Sequence, residues 1–119
     1  MALADEINKA IGAHGMWRTR LKMAIESGKS AFSLERVRSD NQCDFGKWLY
    51  SLASVQKDTI HWKKVQELHQ AFHVEAARVL ELALKGQKEE AEKELDFNSS
   101  FSKASNDLTS AMVKWKLSP

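Results

Sequence analysis

Leu68-His69-Gln70-Ala71-Phe72-His73 sets two imidazoles four residues apart inside a stretch that reads as a long amphipathic helix. Residues i and i+4 of an α-helix lie about 40° apart around the axis, so both rings fall on one face and can share a single ligand, for which a divalent metal is the obvious candidate. An isolated pair of this kind more often packs or is solvated. The rest of the chain must therefore supply further donors, and it offers only His14, His61 and one cysteine, Cys43.

The helix carrying the pair is expected to start at an Asp58-Thr59 cap and to run to about Lys85, where Gly86 stops it. Its apolar stripe is Val65, Leu68, Phe72, Ala76, Val79 and Ala83, with His69 and His73 on one shoulder beside Trp62 and Leu80, within reach of a neighbouring helix. His61 precedes His69 by eight residues. At 1.5 Å per residue that is roughly 12 Å along the axis, too far to share an ion with both members of the pair.

A first helix is read over Leu3 to Ile25, where Leu3, Ile7, Ala10, His14, Trp17, Leu21 and Ala24 alternate at spacings of four and three, and Gly28 ends it. His14 occupies a stripe position, so its ring points inward at mid-helix and needs a partner there. Residues 29–40 show no sustained period and read as a connection, with Phe32, Leu34 and Val37 free to pack and Ser39-Asp40-Asn41 offering N-cap residues. Gln42 to Leu52 reads as a short helix with Cys43 in its first turn, where the helix dipole favours a thiolate. Gly46 removes a side chain where this helix meets a neighbour, and Trp48 and Leu49 can anchor it. A fourth helix is expected from Gln87 to Trp115, its stripe being Phe97, Phe101, Ala104, Leu108, Ala111 and Trp115; the weak helix formers Asp96, Asn98, Ser99 and Ser100 allow a bend near 96–100. The fold class that follows is all-α. Three long helices and one short cysteine-bearing helix assemble most simply as an antiparallel four-helix bundle, one domain over residues 1–119.

Composition agrees and excludes several functions. Five glycines, a single proline at the end and 29 % charged residues favour long helices. Eighteen basic against sixteen acidic residues give a net charge of only +2, with the two signs interspersed, so nucleic-acid binding is not suggested. No stretch approaches the 18 or so apolar residues that span a bilayer, and the first residues lack the pattern of a secretory leader. A soluble, cytoplasmic protein is expected, and a lone cysteine in that setting forms no internal disulfide and remains open to metal ligation.

His14-Gly15-Met16-Trp17, then Cys43-Asp44-Phe45-Gly46-Lys47-Trp48-Leu49, then His69-Gln70-Ala71-Phe72-His73 is an order of elements that resembles the chemoreceptor zinc-binding (CZB) domain of bacterial sensory proteins, over nearly the whole chain. The resemblance implies one Zn²⁺ per chain held by three histidines and a cysteine, here His14, Cys43, His69 and His73; His61 matches no ligand position. It also implies a homodimer and an attached or separate effector, a chemoreceptor signalling domain or a diguanylate cyclase, absent from this sequence. A Cys/His₃ set suits tetrahedral zinc and leaves no position for an activated water, so an enzyme is not expected. A hemerythrin-like di-iron bundle would need more histidines and carboxylates than the apolar faces carry, and Glu67 and Glu75 beside the pair read as solvated.

The expected function is a zinc-binding sensory or regulatory domain of bacterial chemotaxis or cyclic-di-GMP signalling, in which occupancy of the site or oxidation of Cys43 is the signal. The alternative is a structural, zinc-stapled dimerisation module. Pairing of two chains is also suggested by Trp17, Trp62, Phe97, Phe101 and Trp115, more aromatic surface than one small bundle easily covers.

Overall fold

The computed structural model describes residues 2–30 and 32–118, apart from the side chain of Ala2. Met1, Ala31 and Pro119 lie outside the described residues, so the 29–40 connection and the domain limits 1–119 are described without them. Among the described residues there are seven helices and no strand: α1 (Ala2–Ser27), α2 (Leu34–Arg38), α3 (Asp44–Ser51), α4 (Ser54–Lys57), α5 (Ile60–Leu84), α6 (Lys88–Lys93) and α7 (Ser100–Leu117). The expected all-α class is what the chain forms.

The long helices begin and end for local reasons. Thr59 caps α5 by accepting from the Trp62 N–H, and Ser99 caps α7 by accepting from Ser102. Gly28 and Gly86 take the left-handed conformation, at φ 71° and 76°, and end α1 and α5 by returning their N–H groups to Ala24 and Ala83.

The directions of the elements follow from what they touch. Arg18 of α1 meets Ser102 of α7, and Lys116 near the end of α7 donates to Asn8, so these two helices run antiparallel. His14 lies beside His69, and Leu21 and Ala24 share an apolar wall with Leu80, so α1 and α5 run the same way. The segment between them returns along both: Phe32 packs on Trp17, the Val37 carbonyl meets His73, and the Leu49 carbonyl accepts from the Trp62 indole. Three long helices thus enclose a core of Ile7, Leu21, Val65, Phe72, Leu80, Phe101 and Leu108, closed along one side by a return leg broken into α2, α3 and α4.

This differs from four expected helices in four places, one of them α4, a single turn over Ser54–Lys57 where no helix was expected. The 29–40 connection contains α2, which Ser33 caps and which buries Val37; five residues are too few to show a period. The short helix begins at Asp44, so Cys43 is its N-cap and not part of its first turn. The fourth helix is interrupted between Glu94 and Ser99, because side chains satisfy the backbone groups that a continuous helix would have paired. Arg18 donates to the Leu95 carbonyl and, at 2.7 Å, to Ser102 Oγ, while that hydroxyl donates to the Asp96 carbonyl at 2.6 Å. The break turns Phe97 out of the stripe, leaving it 89 % exposed.

Candidate metal centre

Three elements deliver four soft donors to one point. The middle of α1 carries His14, two successive turns of α5 carry His69 and His73, and the turn before α3 carries Cys43. His69 is fully buried, with His73 and His14 nearly so and Cys43 half-buried. On α5 the two histidines lie closer to the centre of the buried face than Leu68, which is only half-buried.

Nε2 of His69 lies 3.2 Å from Nε2 of His14 and 3.1 Å from Nε2 of His73. Cys43 Sγ lies 3.4 Å from Nε2 of His69 and 3.5 Å from that of His73, and all four donor atoms fall within 4.8 Å of one another. A tetrahedral ion with bonds of about 2.0–2.1 Å to nitrogen and 2.3 Å to sulfur has N···N edges of about 3.3–3.4 Å and N···S edges of about 3.5–3.6 Å. Those four edges come close to that figure, and the two remaining ones, from His14 to Cys43 and to His73, lie within 4.8 Å.

The proton count points the same way. A carbonyl only accepts, so His73 Nδ1 carries the proton it donates to Val37 at 2.8 Å, which leaves the Nε2 lone pair aimed at the cluster. Nδ1 of His14 and of His69 has no well-formed hydrogen bond, although the Ala10 carbonyl one turn back is near enough to act on the charge of His14. Three neutral imidazoles and a thiol packed this closely hold more lone pairs than protons to share. A cation at their centre would satisfy all of them.

Electrostatics keep the rings in the ligand form. Burial, then the neighbouring His73, lowers the pKa of His14 to about 4. The same causes push His69 lower still, and burial also lowers His73. Burial raises the Cys43 thiol, partly offset by N–H groups of Gly46 and Phe45. Phe45 and Phe72 form edge contacts with the His14 ring at 5.9 and 5.1 Å.

The cysteine is positioned by contacts that residue types alone do not announce. A Cβ on Gly46 would lie 1.8 Å from the Asp40 carbonyl oxygen, so only glycine lets the 40–43 turn fold back onto α3. The neighbour that requires this glycine is its own preceding turn. The Gly46 N–H then donates to Cys43 Sγ at 3.3 Å. Asp40 accepts from Tyr50 at 2.5 Å, and Gln66 of α5 donates to the same hydroxyl at 3.1 Å, tying the turn to both helices.

His61 is half-buried and outside the cluster. Glu67 is exposed, whereas Glu75, expected to be solvated, pairs with Arg78 at 2.7 Å, and Arg78 continues to Glu94 at 2.5 Å.

An all-helical chain that gathers three imidazoles and a thiol around one buried point is a helical metal-binding domain. The family model of the chemoreceptor zinc-binding domain matches residues 14–80, more than half of the chain and a span containing all four donors, and the chain belongs to that family. Its four donors are placed to hold one zinc ion. No curated protein and no solved structure matches the chain.

Proposed function

We propose that this chain is a sensory or regulatory domain whose signal is the state of a zinc ion held by His14, Cys43, His69 and His73. The observation that carries the reading is the convergence of those four donors within 4.8 Å in an otherwise apolar interior. Zinc bound there would fix the sulfur as thiolate and join α1, α5 and the return leg. With four protein donors no position remains for a water nucleophile, which supports a regulatory role over a hydrolytic one.

Cys43 is the movable donor. It is only half-buried and sits on a turn, while the three histidines belong to long helices packed on each other. Attack of its thiolate on the oxygen of hypochlorous acid gives the sulfenic acid and chloride, two electrons passing from sulfur to chlorine. A sulfenic acid is a poor zinc ligand, so the return leg would be released from the metal while the imidazoles still hold it. In this reading the moving part is the return leg broken into α2, α3 and α4, while the long helices α1, α5 and α7 stay packed on each other.

A homodimer and an effector of chemotaxis or cyclic-di-GMP signalling complete the proposal, and the family membership supports them. The aromatic argument for pairing is weaker than the sequence suggested, because Trp17, Trp62, Phe101 and Trp115 are covered within one chain. A cytoplasmic setting is part of the same reading; no helix among the described residues is long and apolar enough to cross a membrane. The deciding experiment measures zinc affinity and stoichiometry of the reduced protein and of Cys43→Ala, with zinc release and mass of Cys43 followed after oxidant. One tightly bound, cysteine-dependent zinc with oxidation at Cys43 supports sensing. Tight zinc with an unmodified cysteine would instead favour the structural, stapled module.

A further inference from the structure

A cavity of about 560 Å³ opens between α1 and the return leg, and its floor is formed by His14, Cys43 and His73. His69 does not line it, so the cavity addresses one triangular face of the donor set, the face opposite His69. That face is the looser one: every other donor bonds to His69, but no hydrogen bond joins His14 to Cys43 or to His73 among the described residues.

The rim is positively charged. Lys9, Arg20, Arg36 and Lys47 face two carboxylates, Glu6 and Asp44, and Glu6 is already engaged by Lys9 at 3.8 Å. The side chains of Arg20, Arg36 and Lys47 have no ion pair or hydrogen bond among the described residues, whereas Arg78 on the other side of the bundle pairs with two carboxylates. Arg20 is oriented without one. Its guanidinium lies over the rings of Trp17 and Phe32, 5.1 and 5.4 Å from their centroids, and those rings pack at 5.4 Å. Cation–π attraction to the two rings holds the guanidinium in place and leaves its N–H donors unpaired among the described residues.

We infer that this cavity binds a small organic carboxylate with an aromatic or branched apolar body, its anionic end at Arg20 and Arg36 and its body against Trp17, Phe32 and Val37. Inorganic anions would use the same charges but gain nothing from the apolar wall. A ligand seated there touches the open face of the metal centre, so its occupancy is coupled to the geometry of the site; this second half rests on the zinc reading above, the first half does not.

The test is titration of the zinc-loaded and the metal-free full chain with benzoate, with benzyl alcohol and chloride as controls, followed by the Trp17 indole N–H resonance. Saturable shifts with benzoate alone are expected, weakened about tenfold by Arg20→Gln and by Arg36→Gln, as loss of one charge-assisted hydrogen bond predicts. Among the described residues no ring packs on the Arg36 guanidinium, so its variant separates charge from folding. Non-saturating shifts, an equal response to benzyl alcohol or chloride, or unchanged affinity in both variants overturns the site. In cobalt-substituted protein, benzoate should shift the visible absorption; a static spectrum while benzoate binds overturns the coupling. A chain that takes up no metal would sink the zinc reading and still leave the metal-free titration to decide the cavity.

Discussion

The α5 side of the metal centre and the Cys43 side are built differently. His69 and His73 sit on a 25-residue helix, buried on both flanking turns by Val65, Phe72 and Ala76, and their positions follow from helix geometry alone. Cys43 sits on a turn held by one close backbone approach at Gly46, one Asp40–Tyr50–Gln66 relay and the ring of Phe45. Local unfolding is least costly where few apolar contacts are broken, so the cysteine side can open while the histidine side stays folded. In the sensory role proposed above, a centre that joins a rigid half to a yielding half would convert a change in one bond into movement of a segment.

If that contrast is right, damage on the rigid side abolishes the site and damage on the yielding side weakens it. His69→Ala removes the donor closest to the other three and leaves a buried cavity on α5. Zinc stoichiometry should fall from one to near zero, with about 2–4 kcal/mol lost from the metal-free fold as well, while His61→Ala leaves both unchanged. Elemental analysis and urea melts check this; equal loss in the two variants would refute the donor assignment. Cys43→Ala should retain zinc more weakly, on three imidazoles.

Gly46→Ala comes next. The added methyl meets the Asp40 carbonyl at 1.8 Å, so the 40–43 turn must shift and carry Cys43 out of reach. Affinity should drop about as far as in Cys43→Ala, with helical circular dichroism nearly intact because α1, α5 and α7 do not depend on that turn. A variant with wild-type affinity would show that the turn adapts and that the cysteine side is no weaker than the other.

Much of this was legible in the sequence because it is helical. Period fixed α1 and α5, and it turned His14, His69 and His73 inward; the order of the cysteine segment between them, together with the family resemblance, completed the donor set. Irregular segments carry no such code. Nothing local to Asp40, Tyr50 or Gln66 says that they meet, since a turn folding onto two helices is a tertiary event. The weak helix formers at 96–100 did announce a loosening, but the full break depends on Arg18, more than seventy residues away, reaching the Leu95 carbonyl. Phe97 fitted the stripe of Phe101 only as long as the helix was continuous.

Acidity probes the rigid half by itself, in metal-free protein. The folded pKa of His14 is about 4 and those of His69 and His73 are also lowered, against 6.5 when unfolded, so between these values the unfolded chain binds more protons. Stability is therefore full above pH 6.5 and falls as the pH drops toward 4, by on the order of a few kcal/mol. The raised Cys43 thiol acts oppositely and lowers stability only as pH rises above 9.0. Urea midpoints measured from pH 8 to pH 4.5 should decline throughout the acid range; a flat profile would mean that the imidazoles are not buried together without metal.

Tyr50→Phe should have the smallest effect, and it tests the yielding half most finely. The phenol hydroxyl donates to Asp40 at 2.5 Å and accepts from Gln66 at 3.1 Å, so it links the turn bearing Cys43 to α3 and α5 without touching any donor atom. Removing it deletes two hydrogen bonds and no packing volume, at a cost of about 1 kcal/mol, because the partners are near enough to the surface to recruit water. Support of this kind is typically worth about tenfold or more in metal affinity, and the lower end is expected here because Gly46 still holds the turn. The loss should appear as faster zinc release and faster amide exchange over residues 40–51, with exchange across α5 unchanged. Release accelerated together with exchange at His69 and His73 would show that the two halves open as one unit, and the division between them would have to be given up.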